Sequence, residues 1–220
     1  INLARYPLFC SMDADSVIED DALLKAVKPF MEWPEETVAV GGIVRCVNGC
    51  TVNEGRVTNI ALPRRFLPVF QVVEYLRAFL SGRLGWSALH GLLFISGAFG
   101  VYRKSAVVEV GGYDRSTDTE DLELVMALHE INRAKRRPYR IVFVPDPVCW
   151  TEVPGTWSML RRQRNRWHRG MLQSIGRHRR MLFNPRYGVI GTIVIPYFLI
   201  FETMGPLVET LGYISVPLAW

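Results

Sequence analysis

The run Leu8-Phe9-Cys10-Ser11-Met12-Asp13-Ala14-Asp15-Ser16 sets the fold class. A short apolar run that stops at two aspartates is how a buried parallel strand meets its C-terminal loop. Downstream, Asp20 or Asp21 can cap a helix through about Met31, with Leu23, Leu24, Val27 and Phe30 at helical spacing. Trp33-Pro34 stops it, and Thr37 to Val44 is β-rich, with Gly41-Gly42 allowing a bulge or close backbone approach. Strand, helix and strand in succession predict an α/β layered domain.

The remaining elements continue that alternation. Residues 45–65 read as an irregular excursion with turns at Asn48-Gly49 and Glu54-Gly55. Phe66 to Leu84 predicts an amphipathic helix, with Pro68 in its first turn and Gly82 and Gly85 at its end. Trp86 to Phe99 is strongly apolar and fits either the core or a membrane interface. Val101 to Val110 suits a strand end and a short helix, and Gly111-Gly112-Tyr113-Asp114 a turn. Thr119 is placed to cap a helix whose buried stripe is Leu122, Val125, Met126 and Leu128, ended by Pro138. Arg140 to Val144 reads as a strand closed by Pro145 and Pro147, and Gly155 to about Arg180 as one long helix or two.

The net charge of +5 is local rather than general. Arg161 to Arg186 contains nine arginines and no acidic residue, leaving 17 Lys and Arg against 21 Asp and Glu elsewhere, a net of −4. Such a block suits phosphates, anionic headgroups or nucleic acid. Cys10, Cys46, Cys50 and Cys149 lack paired metal spacing and read as free thiols in a reducing compartment. Ile1 is not an initiator methionine and no signal peptide opens the chain, so the sequence is expected to begin inside a longer one.

The tail carries membrane character. Tyr187 to Phe201 is fifteen nearly uninterrupted apolar residues, short of the roughly 20 that span a bilayer. The arginines just before it mark a cytoplasmic side. A transmembrane or re-entrant segment is expected over 184–220, with Glu202 and Glu209 turned toward a bundle or pore.

Three groups could carry chemistry. Asp13 and Asp15 project to one side of an extended chain, and their hard oxygens suit Mg²⁺ or Mn²⁺; a turn or cap pair is the plainer alternative. Thr119-Glu120-Asp121 opens a helix, where the dipole favours acids in any case; Asp121 is also a candidate general base. Gln163, Arg166 and Trp167 share one helical face, suited to a diphosphate oxygen and a sugar ring. Arg162, Arg166, Arg169, Gln173, Arg177 and Arg180 form a basic stripe beside an apolar one of Leu160, Trp167, Met171 and Ile175. That pattern also fits an interfacial helix on anionic lipid.

Their order is more specific than any member. D-x-D at a strand end, Ser-Gly-Ala-Phe-Gly-Val-Tyr-Arg-Lys (Ser96 to Lys104), the G-G-Y turn, T-E-D and then Q-x-x-R-W before apolar sequence resembles the processive family-2 glycosyltransferases. These are the synthases of cellulose, chitin, hyaluronan and poly-N-acetylglucosamine. The resemblance runs from Tyr6 to the tail. It implies a Rossmann-like, nucleotide-sugar-binding glycosyltransferase A-type α/β domain, followed by interfacial and transmembrane helices. The corresponding boundaries are 1–154 for the catalytic domain, 155–183 for interfacial helices carrying Q-x-x-R-W, and 184–220 for membrane segments. It implies Asp13 and Asp15 as the metal–diphosphate motif and Asp121 as base, with Glu120 beside it. Ser96 and Gly97 would line the acceptor pocket, and Gln163, Arg166 and Trp167 would bind donor diphosphate and acceptor end. The family's domain begins with an earlier strand and an acidic residue that hold uridine, so this domain is expected to be incomplete at its N-terminus.

The expected activity is inverting transfer of a hexosyl or N-acetylhexosaminyl group from a UDP-sugar to a growing polysaccharide. It would use Mg²⁺ or Mn²⁺, at the cytoplasmic side of the cell membrane, in contact with lipid and without nucleic acid. A base with no second carboxylate nucleophile suits single displacement, because neighbouring helical side chains such as Glu120 and Asp121 point about 100° apart. The alternatives are a non-processive transferase to a lipid or single acceptor, and a non-catalytic module binding anionic surfaces.

Overall fold

The computed structural model describes residues 1, 3–205, 210, 211 and 215, with backbone only at 147 and 148. Five strands form one sheet in the order β1 (Leu8–Ser11), β6 (Gly100–Arg103), β3 (Thr37–Cys46), β7 (Arg140–Thr151) and β2 (Val17–Ile18). Only β3 and β7 run parallel; the other pairings are antiparallel. Nearly all of β3 is buried, as its run of β-branched and small residues requires of a strand covered on both faces. Helices α1 (Ala22–Glu32), α4 (Lys104–Glu109) and α5 (Glu120–Ala134) add Phe30, Val107, Leu124, Val125 and Leu128 to that core.

Several sequence expectations change. The run at 8–12 is not a buried parallel strand: β1 pairs antiparallel with β6 and lies half-buried at an end of the sheet. In α1 the buried face is Ala22, Ala26, Pro29 and Phe30, whereas Leu23 and Leu24 are exposed. Both sets satisfy helical spacing, and the alanines let the helix lie close to the sheet. The excursion at 45–65 contains a hairpin, β4 (Thr51–Asn53) and β5 (Arg56–Asn59), turning at Glu54-Gly55. Strand β7 runs through the prolines expected to close it. Register shifts opposite Gly42, Ile43 and Val44 absorb the missing N–H donors.

Helix α2 (Phe66–Leu76) does not end at Gly82 and Gly85. It widens into a π-helical stretch, Arg77–Arg83, and resumes as α3 (Leu84–Ala88). A single helix, α6 (Trp157–Arg177), carries six of the nine arginines, and Arg179, Arg180 and Arg186 follow it. Arg164 fastens it to α2 through Glu74 at 2.5 Å while lying over the Trp167 ring at 4.6 Å.

A second core joins α5, α6 and the tail. Leu122 and Met126 pack with Leu93, Ile175, Met181, Tyr187, Ile190, Val194, Ile195 and Phe198. Residues 190–203 form short helical turns, Ile190–Val194, Ile195–Tyr197 and Phe198–Thr203. No helix among the described residues is long and apolar enough to cross a membrane. Glu202 is exposed, and Glu209 lies outside the described residues.

His178, just past α6, closes this joint. Its ring contacts Glu130 at 2.5 Å through Nδ1 and Glu123 at 3.2 Å through Nε2, and imidazole and Glu123 are both buried. Burial opposes its charge, but the two carboxylates outweigh it and raise the pKa above 6.5. The stabilisation is therefore full below about pH 6.5 and fades as pH rises through the higher folded-state value. His178→Ala should cost roughly 3 kcal/mol at pH 6, by leaving the buried Glu123 carboxylate, and the partly exposed Glu130, without their cation. The gap in melting temperature from wild type should narrow between pH 6 and pH 9, as thermal unfolding across that range would record.

Candidate active site

Antiparallel pairing of β1 with β6 decides where the chemistry gathers. Ser11 lies opposite Gly100, so the loop after β1 and the turn before β6 emerge at one end of the sheet. The first carries Asp13 and Asp15, the second Ser96 and Gly97. Asp121, in the first turn of α5, reaches the same point: its Oδ2 accepts a hydrogen bond from the Gly97 N–H at 2.9 Å. A methyl group on Gly97 would lie 3.5 Å from Asp121 Oδ2 and 3.7 Å from Asp13 Oδ1. The missing side chain of Gly97 thus leaves the space between the two carboxylates.

The charges are mutually perturbed. Partial burial, then the charges of Asp15 and Glu120, raise the Asp13 pKa above its ordinary 3.8, and Arg166 opposes them. Burial is also the main reason that Asp121 is raised. The Leu122 N–H pulls it down, Glu120 pushes it up, and the Gly97 N–H and Arg83 pull it down. Its Oδ1 accepts from Leu122 N–H at 2.8 Å. Each oxygen keeps a lone pair for a substrate hydroxyl.

Helix α6 reaches this cluster through a close approach. A methyl on Gly170 would overlap the Thr119 side chain. Thr119 stands at the N-cap position of α5 but makes no capping bond, contrary to the sequence reading; its Oγ1 is enclosed beneath α6 without a partner. The Q-x-x-R-W residues divide by role. Arg166 is exposed and felt by Asp13, Gln163 has an enclosed Oε1 without a partner, and Trp167 is half-buried beneath Arg164. The basic stripe is not free for lipid along its length. Arg169 pairs with Asp118 at 3.3 Å, Gln173 accepts from Asp118 N–H at 2.9 Å, and Arg177 pairs with Asp114 and Ser116. Those acids fall in the loop before T-E-D, which sequence spacing alone does not bring to α6. A surface hollow of about 440 Å³ beside Trp157, Arg161 and Asn165 contains no carboxylate and stands apart from the cluster.

Sequence reasoning missed Arg83 and Tyr113. Asp121 is electrostatically coupled to both, and Glu120 to Tyr113. Tyr113 stands in the sequence as the last residue of the G-G-Y turn, and Arg83 lies unremarked within the helix expected over Phe66 to Leu84.

Asp13 and Asp15, in the loop after β1, are the candidate divalent-cation ligands. Among the described residues no group of three or more His, Cys, Asp or Glu could by itself hold a metal ion. Two hard carboxylates that repel each other still fit Mg²⁺ or Mn²⁺, which take one or two protein carboxylates and leave other positions to phosphate and water.

The glycosyl transferase family group 2 profile matches residues 8–220. The chain belongs to that family. It is 31% identical over 170 residues to the poly-beta-1,6-N-acetyl-D-glucosamine synthase of Staphylococcus aureus strain COL. The same identity and span relate it to the synthase of that name from Staphylococcus epidermidis. In each case the match covers 77% of this chain and 36% of the relative, so the chain spans little more than a third of their length. In structure it resembles the Pyrobaculum calidifontis mannosyltransferase PcManGT, solved with GDP-Man and Mn²⁺. The TM-score is 0.53 at 15% identity, covering all of this chain and 57% of that one. That likeness establishes a mixed α/β, glycosyltransferase A-like fold.

Gly97→Ala and Gly170→Ala should therefore separate. A methyl at Gly97 meets only ordinary contacts, so the melting temperature should hold while the cleft between Asp13 and Asp121 is filled and turnover falls. A methyl at Gly170 must push α6 away from Thr119, costing about 1–3 kcal/mol in denaturant unfolding.

Proposed function

We propose that this chain is the catalytic part of an inverting glycosyltransferase that moves a hexosyl or N-acetylhexosaminyl group from a UDP-sugar onto the hydroxyl of a growing polysaccharide. The observation that carries the proposal is the meeting of Asp13 and Asp121 across Gly97. One carboxylate side serves the donor, and the other serves the acceptor. The staphylococcal relatives are named as synthases of an N-acetylglucosamine polymer, which makes UDP-N-acetylglucosamine the first donor to try.

Asp121 is the base. Two backbone N–H groups fix its orientation, and burial makes it a stronger base than a free aspartate. It takes the proton from the acceptor hydroxyl as that oxygen attacks the anomeric carbon and the nucleoside diphosphate leaves. No second carboxylate is needed, so the anomeric configuration inverts. Asp13 and Asp15 are the residues that would hold Mg²⁺ or Mn²⁺, which, when bound, supplies charge neutralisation to the leaving diphosphate. Arg166 adds a guanidinium on the Asp13 side, and Gln163 offers an amide. Trp167, held by Arg164, gives the acceptor sugar a flat face, and Ser96 and Gly97 line its approach.

A membrane surface suits the rest. Tail side chains Ile193, Ile200, Phe201 and Met204 are exposed, as are Arg179, Arg180 and Arg186. Apolar residues beside arginines favour attachment at the cytoplasmic face. The division into 1–154, 155–183 and 184–220 is retained as a functional one.

In the full-length protein, Asp121→Asn should lower transfer about 10²–10⁴-fold while donor binding persists. Asp15→Ala should weaken metal-dependent UDP binding by calorimetry. The rate should fall with acidity through a pKa above 3.8, since the base must be ionised and its pKa is raised. Full transfer activity in Asp121→Asn would sink the assignment.

A further inference from the structure

Arg83 is unexplained by the chemistry above. It ends the π-helical stretch Arg77–Arg83, a conformation rare in proteins and frequent at functional sites. Its guanidinium lies 3.8 Å above the ring of Phe79, which is itself buried against Tyr75 and Phe143. One guanidinium nitrogen, Nη1, is enclosed without any hydrogen-bond partner. Among the described residues no carboxylate lies within ion-pair distance of Arg83. A desolvated guanidinium N–H left empty is costly, and proteins normally pair it.

Its electrostatic neighbour identifies its side of the site. Asp121 and Arg83 stabilise one another's charge, while burial draws Arg83 down to about 10. Asp13 responds instead to Asp15, Glu120 and Arg166. The two cations are thus divided: Arg166 acts on the carboxylate assigned to donor diphosphate, and Arg83 on the base. Contacts lead the same way, since the Phe79 ring under Arg83 meets Phe143, whose strand partner Gly41 lies against Ile95, next to Ser96 and Gly97. The hydroxyl from which a base takes a proton must sit within hydrogen-bond reach of it. A free guanidinium N–H within electrostatic reach of that base is on the side of the sugar carrying that hydroxyl.

We propose that Arg83 binds the acceptor: its Nη1 donates a hydrogen bond to an oxygen of the acceptor sugar, a ring hydroxyl or an amide carbonyl, beside Asp121. Phe79 fixes the plane of the guanidinium at the end of the π-helical stretch. The assignment rests on the transfer reaction proposed above and adds to it a residue for the acceptor.

The test uses the full-length protein, with donor and acceptor oligosaccharide varied independently. Arg83→Met should raise the acceptor KM at least about tenfold and leave the donor KM within about twofold. Hydrolysis of the donor by water should continue. Arg83→Lys should recover part of the acceptor affinity, and ethylguanidinium should restore transfer to Arg83→Ala where urea does not. Acceptors with and without an acetamido group distinguish the two oxygens: a carbonyl partner predicts that the variant's penalty vanishes for the plain sugar. An unchanged acceptor KM, equal rises in both KM values, or a lowered melting temperature without guanidinium rescue would overturn the role of Arg83. A wild-type protein that neither transfers nor hydrolyses any nucleotide-sugar would overturn the transfer reaction itself, a result separable from normal wild-type transfer with an indifferent Arg83.

Discussion

The hydrogen bond from the Gly97 N–H to Asp121 is the constraint on which the site depends. It joins a turn before a sheet strand to the first turn of a helix 24 residues later. A carboxylate drawn into a covered position must find donors, and here it finds backbone, which cannot swing away. The bond also determines what cannot stand at position 97, because any side chain there enters the gap toward Asp13. Backbone geometry, rather than a side-chain network, holds Asp121 across Gly97 from Asp13.

Around that bond the molecule is assembled by close approach. Gly170 brings α6 onto Thr119, and Arg169, Gln173 and Arg177 tie the same helix to Asp114, Ser116 and Asp118. The arginine-rich helix spends much of its charge on this internal contact. Arg166 stands out because its neighbours are occupied with the loop before α5 and it faces the aspartates.

The alternation of strands and helices was legible in the sequence because local periodicity records it. Strand direction was not: whether Leu8–Ser11 runs parallel or antiparallel depends on a partner about 90 residues away. The stripe of α1 was misread because leucines outweigh alanines in any apolar pattern, although alanine permits a closer sheet contact. The candidate site residues were legible as an ordered set of motifs. Their convergence was not, because it depends on Gly97, which contributes no side chain. Arg83 was invisible because its meaning lies in a helix widening and an empty hydrogen-bond position, neither of which leaves a mark on spacing.

Leu122 belongs to two structures at once. Its N–H steadies Asp121, and its side chain lies in the cluster formed with Ile190, Val194, Ile195 and Phe198 of the tail. The tail is thereby linked to Asp121 through a single residue. Any change in how Ile190, Val194, Ile195 and Phe198 pack acts on Leu122, and through its N–H on the direction in which the Asp121 carboxylate points.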